Sequence, residues 1–303
     1  MTDFETDRRS GSSQVATEFL AELRVWASAD TSRSLTDLRA ALLATLRAAQ
    51  ASQPAMALVH QLAARALMVA DASITRGESL ADARRALEQS CIAEAEDLAA
   101  SQAAVAQQAA GLVTERGAWI ATLSSSGAVR DALLAAKAAG REPRALIAES
   151  RPLYEGRALA ETLGAAGIPV WLVVDAALPL LLSQARMVWL GADAVTDHGV
   201  LNKIGSFAAT LAAREHSVPV YALASRRKFL PASTRALHIP EMAPEEVWDQ
   251  PPTGVQPRNV YFELTPLPLL RGVAVEDLVL PPGEAAQLAR ERALPDELAK
   301  SLG

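Results

Sequence analysis

The sequence predicts an α/β protein in two parts, a helical N-terminal domain over residues 1–112 and a parallel-sheet C-terminal domain over residues 113–303. Three observations carry that prediction. Up to Gly111 the chain is rich in Ala, Leu, Gln and Glu and holds almost no strand-like run. After Gly111, short apolar runs bounded by turn residues alternate with helical patterns, which is the rhythm of a parallel sheet covered by helices on both faces. Half of the 303 residues are hydrophobic and only 4% are aromatic, so a sizeable core is available and must be mostly Ala, Leu and Val.

The elements follow in order. "SLTDLRAALLATLRAAQ" and "SLADARRALEQSCIAEAEDLAASQAAVAQQAAGLV" place apolar residues at helical spacing. Ser34 and Ser79 stand before these patterns as N-caps, and Pro54 marks a break between helices. The strand-like runs are "AWIATLS", "RALIAES", "IPVWLVVD", "MVWLGADAV" and "VPVYALA", with "NVYFELT" adding a late strand. The Pro-rich stretch 240–257 reads as a surface loop, and the C-terminal "GEAAQLARERALPDELAKSLG" as a charged helix or a frayed tail.

Composition excludes several classes. A formal net charge of −6 without a basic stripe argues against nucleic acid and against an anionic membrane as partners. The single cysteine, Cys91, excludes an intrachain disulfide framework and a Cys-cluster zinc site, fits a reducing compartment, and reads as an ordinary buried residue of a helix. "MTDFETDRRSGSSQ" is too polar for a secretory signal. "IPVWLVVDAALPLLL" carries Asp175 and two prolines and is too short to span a bilayer. A cytoplasmic protein is expected, with no metal site and no cofactor, since neither a dinucleotide fingerprint nor a P-loop is present.

In open parallel sheets ligands bind outside the carboxyl ends of the strands, so the residues after each run are the candidates. Ser124, Ser125, Ser126 and Gly127 follow the first run. They offer hydroxyls and N–H groups to a phosphate, or simply cap a helix. Arg151 in "ESRP" follows the second run and either holds an anion or pairs with Glu149. Asp175 follows the third run among apolar neighbours, as a general acid or base or as an N-cap. After the fourth run, Asp193, Asp197, His198, Asn202 and Lys203 cluster in "GADAVTDHGVLNKIG". Asn202 and Lys203 opening a helix read as a clamp for an anion and a hydroxyl, against a solvated helix start. "SRRKF" follows the fifth run and sets three cations at a strand end, suited to a phosphate or to a solvated loop. Hydroxyls, Asn, Lys, Arg and one protonatable Asp together favour a small phosphorylated polyol.

The segment "GADAVTDHGVLNKIGSFAATLAAREHSVPVYALASRRKF" resembles the translation initiation factor 2B alpha/beta/delta family, which also contains methylthioribose-1-phosphate isomerase and ribose-1,5-bisphosphate isomerase. "ESRP", "VVDAA" and "NVYFELTP" match further family blocks, so the resemblance covers roughly residues 110–290. It implies a helical N-terminal domain on a Rossmann-like C-terminal domain, assembled as a homodimer or a higher oligomer. In the isomerase members a cysteine after the first strand and an aspartate after the third form the catalytic pair. Carried over, these are Ser124 and Asp175, with ligand contacts from Asn202, Lys203 and Lys228. Ser124 is the main departure, because a hydroxyl is a far weaker acid than a thiol. The isomerases also carry Arg-Gly-Ala near the N-terminus. Here "RRSGSS" keeps Gly11 and displaces or loses the arginine, and an Arg-Pro of the isomerases becomes Gln53-Pro54. The resemblance implies a protein that binds a phosphorylated sugar or nucleotide without cysteine-dependent isomerase chemistry. An aldose–ketose sugar-phosphate isomerase and a regulatory subunit of an initiation-factor assembly stand as alternatives.

Overall fold

The N-terminal third forms helices because its apolar residues recur on one face. The computed structural model describes residues 3–7, 10–234 and 237–299. The displaced arginine, Arg8 or Arg9, lies outside the described residues. Helices α1 (Asp3–Thr6), α2 (Ser12–Ala29), α3 (Leu35–Ser52), α4 (Ala57–Thr75) and α5 (Leu80–Gly111) follow one another. Ser34 and Ser79 cap α3 and α5 by accepting from the backbone N–H of Asp37 and Asp82. Helix α3 buries Leu38, Leu42, Leu46 and Ala49, an i, i+4 stripe. Helix α4 is apolar on most sides and buries Leu58, Val59, Leu62, Ala63, Ala66, Leu67 and Ala70, which makes it the axis of the bundle.

Helix α5 serves both parts. Its 32 residues span about 48 Å at 1.5 Å per residue. Ala83, Leu87, Cys91 and Leu98 join the bundle core, while Val105, Ala106, Ala109 and Ala110 pack into the core of the sheet.

The remaining strands are β1 (Trp119–Leu123), β2 (Arg144–Ala148), β3 (Val170–Val173), β4 (Met187–Leu190), β5 (Ala194–Val195), β6 (Gly199–Lys203), β7 (Val220–Leu223), β8 (Phe262–Pro266), β9 (Gly272–Ala274) and β10 (Val279–Leu280). Helices α6 (Gly127–Ala138), α7 (Glu155–Ala165), α8 (Leu178–Leu181), α9 (Ser206–Glu215), α10 (Pro282–Glu291) and α11 (Asp296–Ala299) lie between and after them. The main sheet runs β10-β9-β7-β4-β1-β2-β3, and all its pairs are parallel except β9 with β10. Strand order reverses between β1 and β4, so a topological switch point lies at their carboxyl ends.

Three features depart from the sequence reading. "MVWLGADAV" is not one strand: it breaks after Leu190, and Ala194–Val195 joins a separate antiparallel sheet ordered β5-β6-β8. The late run "NVYFELT" contributes to that small sheet, as β8, and not to the main one. The C-terminal tail is neither one helix nor frayed through the described residues. Helix α10 packs on the sheet, and α11 returns to the bundle, where Leu298 O accepts from Gln50 Nε2 at 3.1 Å and Arg39 pairs with Glu297 at 2.6 Å.

Candidate functional site

A crevice of about 730 Å³ opens at the switch point, between the bundle and the carboxyl ends of the strands. Its walls come from distant parts of the chain: the start of α2 at Gly11, the loop Ser124–Gly127 after β1, the start of α7, Asp193 after β4, Asn202 and Lys203 at the end of β6, and Lys228 after β7.

The loop after β1 turns sharply at Ser124, whose φ of 62° is left-handed, and Ser126 caps α6 through a contact from Val129 N at 3.5 Å. The loops after β1 and β4 press together at Gly191. A Cβ at that position would stand 2.6 Å from Ser126 Oγ, so only glycine fits. Gly11 lies against the same loop, 3.4 Å from Ser125 O measured from an added Cβ, and this brings the bundle to the sheet.

Asn202 and Lys203 do not open a helix. They end β6, and a turn at Ile204–Gly205 separates them from α9. The helix start is already served by Glu263 of β8, whose Oε1 accepts from Gly205 N at 2.7 Å and Phe207 N at 2.9 Å. Asn202 Nδ2 donates to Ser206 Oγ at 3.1 Å. Lys203 Nζ stands 2.5 Å from Glu155 Oε1 and 4.5 Å from the centre of the Tyr261 ring. The two side chains of this pair are only 4% and 9% exposed.

The three cations of "SRRKF" part company. Arg226–Lys228 is a turn of 3-10 helix, in which successive side chains point about 120° apart. Arg226 pairs with Glu276 and Asp277, and Arg227 pairs with Glu94 and Asp97. Lys228 alone turns inward, and its Nζ donates to Ala192 O at 2.6 Å.

Asp193 lines the crevice along with Asp7, Glu155 and Glu161. Its side chain is buried, its N–H donates to Leu201 O at 2.8 Å, and its carbonyl accepts from Ala57 N at the start of α4 at 2.9 Å. Burial pushes its carboxyl above the usual range, with Lys228, a hydrogen bond from Ser12 and Lys203 opposing. Burial likewise lowers Lys228, with Asp193 opposing. Both groups are driven towards their neutral forms, as desolvation requires.

Asp175 and Arg151 do not line the crevice. The apolar neighbours that seemed to enclose Asp175 are themselves exposed, among them Trp171, Leu172 and Val174. Its carboxylate accepts from Ser150 N and Arg151 N, both at 2.8 Å, and Ser150 Oγ in turn accepts from Ser124 N at 2.7 Å. Asp175 therefore fixes the turn that fixes Ser124. Arg151 stacks on Tyr154 and donates to Val247 O at 3.3 Å, and Glu149 pairs with Arg157 instead. Asp197 accepts from Ala232 N, and neither it nor His198 reaches the crevice. Gln53 spends its amide on Phe4 O and Asp7 O, tying the first residues down beside the crevice. Cys91 lies in the bundle core, and burial pushes its thiol up to about 11.

The sequence reading did not single out Glu155, and it named Asp175 as the acid or base; Glu155 and Asp193 line the crevice and Asp175 does not. The only sequence signal for Asp193 was its place after the fourth run, in the same "GAD" that opens the Asn-Lys segment. Among the described residues no group of three or more His, Cys, Asp or Glu could hold a metal ion, and no helix is long and apolar enough to cross a membrane.

The model of the initiation factor 2 subunit family matches residues 8–281. The chain belongs to that family. Among family proteins, a Pyrococcus furiosus translation initiation factor eIF-2B subunit 2-like protein is 35% identical over 170 residues, 55% of this chain and 60% of that one. The ribose 1,5-bisphosphate isomerase of Archaeoglobus fulgidus is 32% identical over 199 residues, 62% of this chain and 63% of that one. This family member thus aligns with less than two thirds of the length of each of these relatives. In structure it is similar to the translation initiation factor eIF-2B of Pyrococcus horikoshii, with a TM-score of 0.78 at 25% identity over 92% of this chain and 94% of that one. A related structure at 17% identity is a tetrameric eIF2B-beta2-delta2 complex, and it shares the fold with a TM-score of 0.69. The expected α/β architecture of a helical N-terminal region followed by a mainly parallel sheet is that of these relatives.

Proposed function

We propose that this family member binds a phosphorylated sugar or nucleotide in the crevice and lacks the cysteine-dependent isomerase chemistry of its enzyme relatives. The observation that carries the reading is the convergence of the Ser124–Gly127 loop, Gly11, Asn202, Lys203 and Lys228 on one cavity at the switch point. Helix α6 begins at Gly127, so its positive end faces the same space and suits a phosphate. By the resemblance a serine, Ser124, stands where the isomerases carry their thiol, and Cys91 is buried in the bundle.

A second reading is favoured by Asp193. A carboxyl whose pKa burial raises is a fitting acid for opening a sugar ring, and two relatives are named for isomerising sugar phosphates. In that reading the aldose–ketose reaction runs with Asp193 as the acid/base and without a thiol. Asp175 supports it only from behind, through Ser150.

The resemblance also implies a homodimer. Support comes from β3, an edge strand that exposes Trp171 and Leu172, with Val174 and Leu180 beside it.

A thermal-shift screen against sugar phosphates and nucleoside monophosphates, followed by phosphorus NMR of each hit, tests the function. Binding without turnover is expected, and Ser124→Cys is expected to gain isomerase activity on the bound sugar phosphate. Turnover by the unaltered protein replaces the first reading with the second. No stabilisation by any phosphate rejects both.

A further inference from the structure

Among the described residues, Lys203, Lys228 and Arg130 are the Lys and Arg side chains that line the crevice, and the two lysines are already committed. Lys203 cancels its charge against Glu155 in a pair that is almost wholly buried. Lys228 donates to Ala192 O, and burial lowers its pKa, with Asp193 opposing. Arg130 stands in the first turn of α6, and the sequence reading did not single it out. Its side chain is 44% exposed, so a ligand in the crevice can reach it. Asp7, Glu155, Glu161 and Asp193 line the same crevice, which leaves a dianion few places to settle.

Arg130 is held in a fixed orientation. Its Nε donates to Asp131 Oδ1 at 2.7 Å, and Gln102 Nε2 of α5 pins the other oxygen of Asp131. Nη1 and Nη2 make no hydrogen bond among the described residues, so the outer edge of the guanidinium is open. Helical side chains lean towards the N-terminus, and Nη2 lies 3.9 Å from the point that a Cβ of Gly127 would occupy. The guanidinium therefore lies beside the first turn of α6, where the N–H groups of Gly127 and Ala128 have no intrahelical acceptor. Two nitrogens of a planar fork match two oxygens of a phosphoryl group, and a fork already oriented loses less entropy on binding.

We propose that Arg130 grips the ligand's phosphoryl group, taking two of its oxygens through Nη1 and Nη2 beside the first turn of α6. The ligand is then a phosphomonoester whose phosphate lies against Gly127 and Arg130. Asp131 and Gln102 are positioning residues, which hold the fork without touching the ligand. The inference rests on the reading of the crevice as a site for a phosphorylated sugar or nucleotide.

The test is calorimetric titration of the full chain, Arg130→Gln, Arg130→Lys and Arg186→Gln with ribose 1-phosphate, ribose 5-phosphate and adenosine monophosphate. Arg186 pairs with Glu115 and does not line the crevice, so its variant controls for the loss of one positive charge. The phosphate that the unaltered chain binds best should bind Arg130→Gln at least about tenfold more weakly, the loss expected when hydrogen bonds to a charged group are removed. Arg130→Lys keeps the charge without the fork, so it should lose at least about threefold and less than Arg130→Gln loses. Arg186→Gln should bind as the unaltered chain does, because solvent and salt screen a distant exposed charge. A loss below about tenfold in Arg130→Gln overturns the inference and leaves the crevice reading standing. An equal loss in Arg186→Gln also overturns it, because net charge alone then explains the result. Should Arg130→Gln fail to fold, Arg130→Lys decides, and an affinity equal to that of the unaltered chain overturns the inference. If no phosphate binds the unaltered chain, the crevice reading falls, and this inference with it.

Discussion

The helical bundle and the crevice both bury polar side chains, and most of those in the bundle are spent on one another. His60, Gln50 and Gln53 have partners within the chain, while Ser73 Oγ of α4 is buried without one. His60, fully buried, lies 2.9 Å from Gln50 Nε2 through Nδ1 and 3.1 Å from Pro54 O through Nε2, which fixes the neutral tautomer with the proton on Nε2. Gln53 is used up on Phe4 O and Asp7 O. At the crevice, Glu155 Oε2 is buried without a hydrogen-bond partner, and burial raises the Asp193 carboxyl and lowers the Lys228 ammonium. Satisfied polar groups fix a fold, and unsatisfied ones at a cavity wall are what a ligand can complete.

The comparison is broken most severely by emptying the bundle core. Leu46→Ala removes a side chain with no exposed surface and should cost about 2–5 kcal/mol, read by denaturant unfolding. Affinity for a crevice ligand, measured below the melting range, should stay within a few-fold, because Leu46 does not line the crevice.

Acid tests the two regions against each other. Burial drops His60 from 6.5 to about 4, so the folded chain refuses a proton that the unfolded chain takes up. Its contribution to stability is whole above pH 6.5 and is lost as pH falls towards 4, in total about 3 kcal/mol. Asp193 acts with the opposite sign. Its folded carboxyl holds a proton above 3.8, where the unfolded chain releases it, so its contribution favours folding at low pH and fades as pH rises. Unfolding curves between pH 4 and 6.5 should therefore show a smaller acid loss for His60→Asn than for the unaltered chain, and a larger one for Asp193→Asn. Equal slopes in all three proteins would dissolve the contrast.

The smallest effect on folding is expected at the β3 edge. Trp171→Lys alters an exposed side chain and should change monomer stability by no more than about 0.5 kcal/mol beyond its loss of contact with Trp119, whose ring centre lies 4.1 Å away. For the homodimer proposed above, sedimentation should nevertheless show a smaller dimer fraction than in the unaltered chain. An unchanged distribution would move the self-association face elsewhere.

Much of the fold was legible because local rules wrote it. Ser34 and Ser79 cap the helices they precede, and β1, β2, β3 and β7 lie within the runs expected of them. Asn202, Lys203 and Lys228 could be found as strand-end polar groups within a recognisable segment, and all three line the crevice. The rest depended on neighbours distant in sequence. Arg226, Arg227 and Lys228 look alike in a row, yet acids at Glu276 and Glu94 claim two of them. The apolar sequence around Asp175 implied burial, but β3 is an edge strand and leaves that end of the chain open.

By itself the sequence determined the helical and strand-forming segments and the family block from Gly191 to Phe229. These are matters of periodicity, turn chemistry and residue identity, which are local. Only the tertiary structure decided that Asp193 and not Asp175 lines the crevice, that α5 belongs to two cores, and that Glu155 stands against Lys203 from 48 residues away. The charge of a buried site depends on which side chains meet across the fold, and packing alone brings them together.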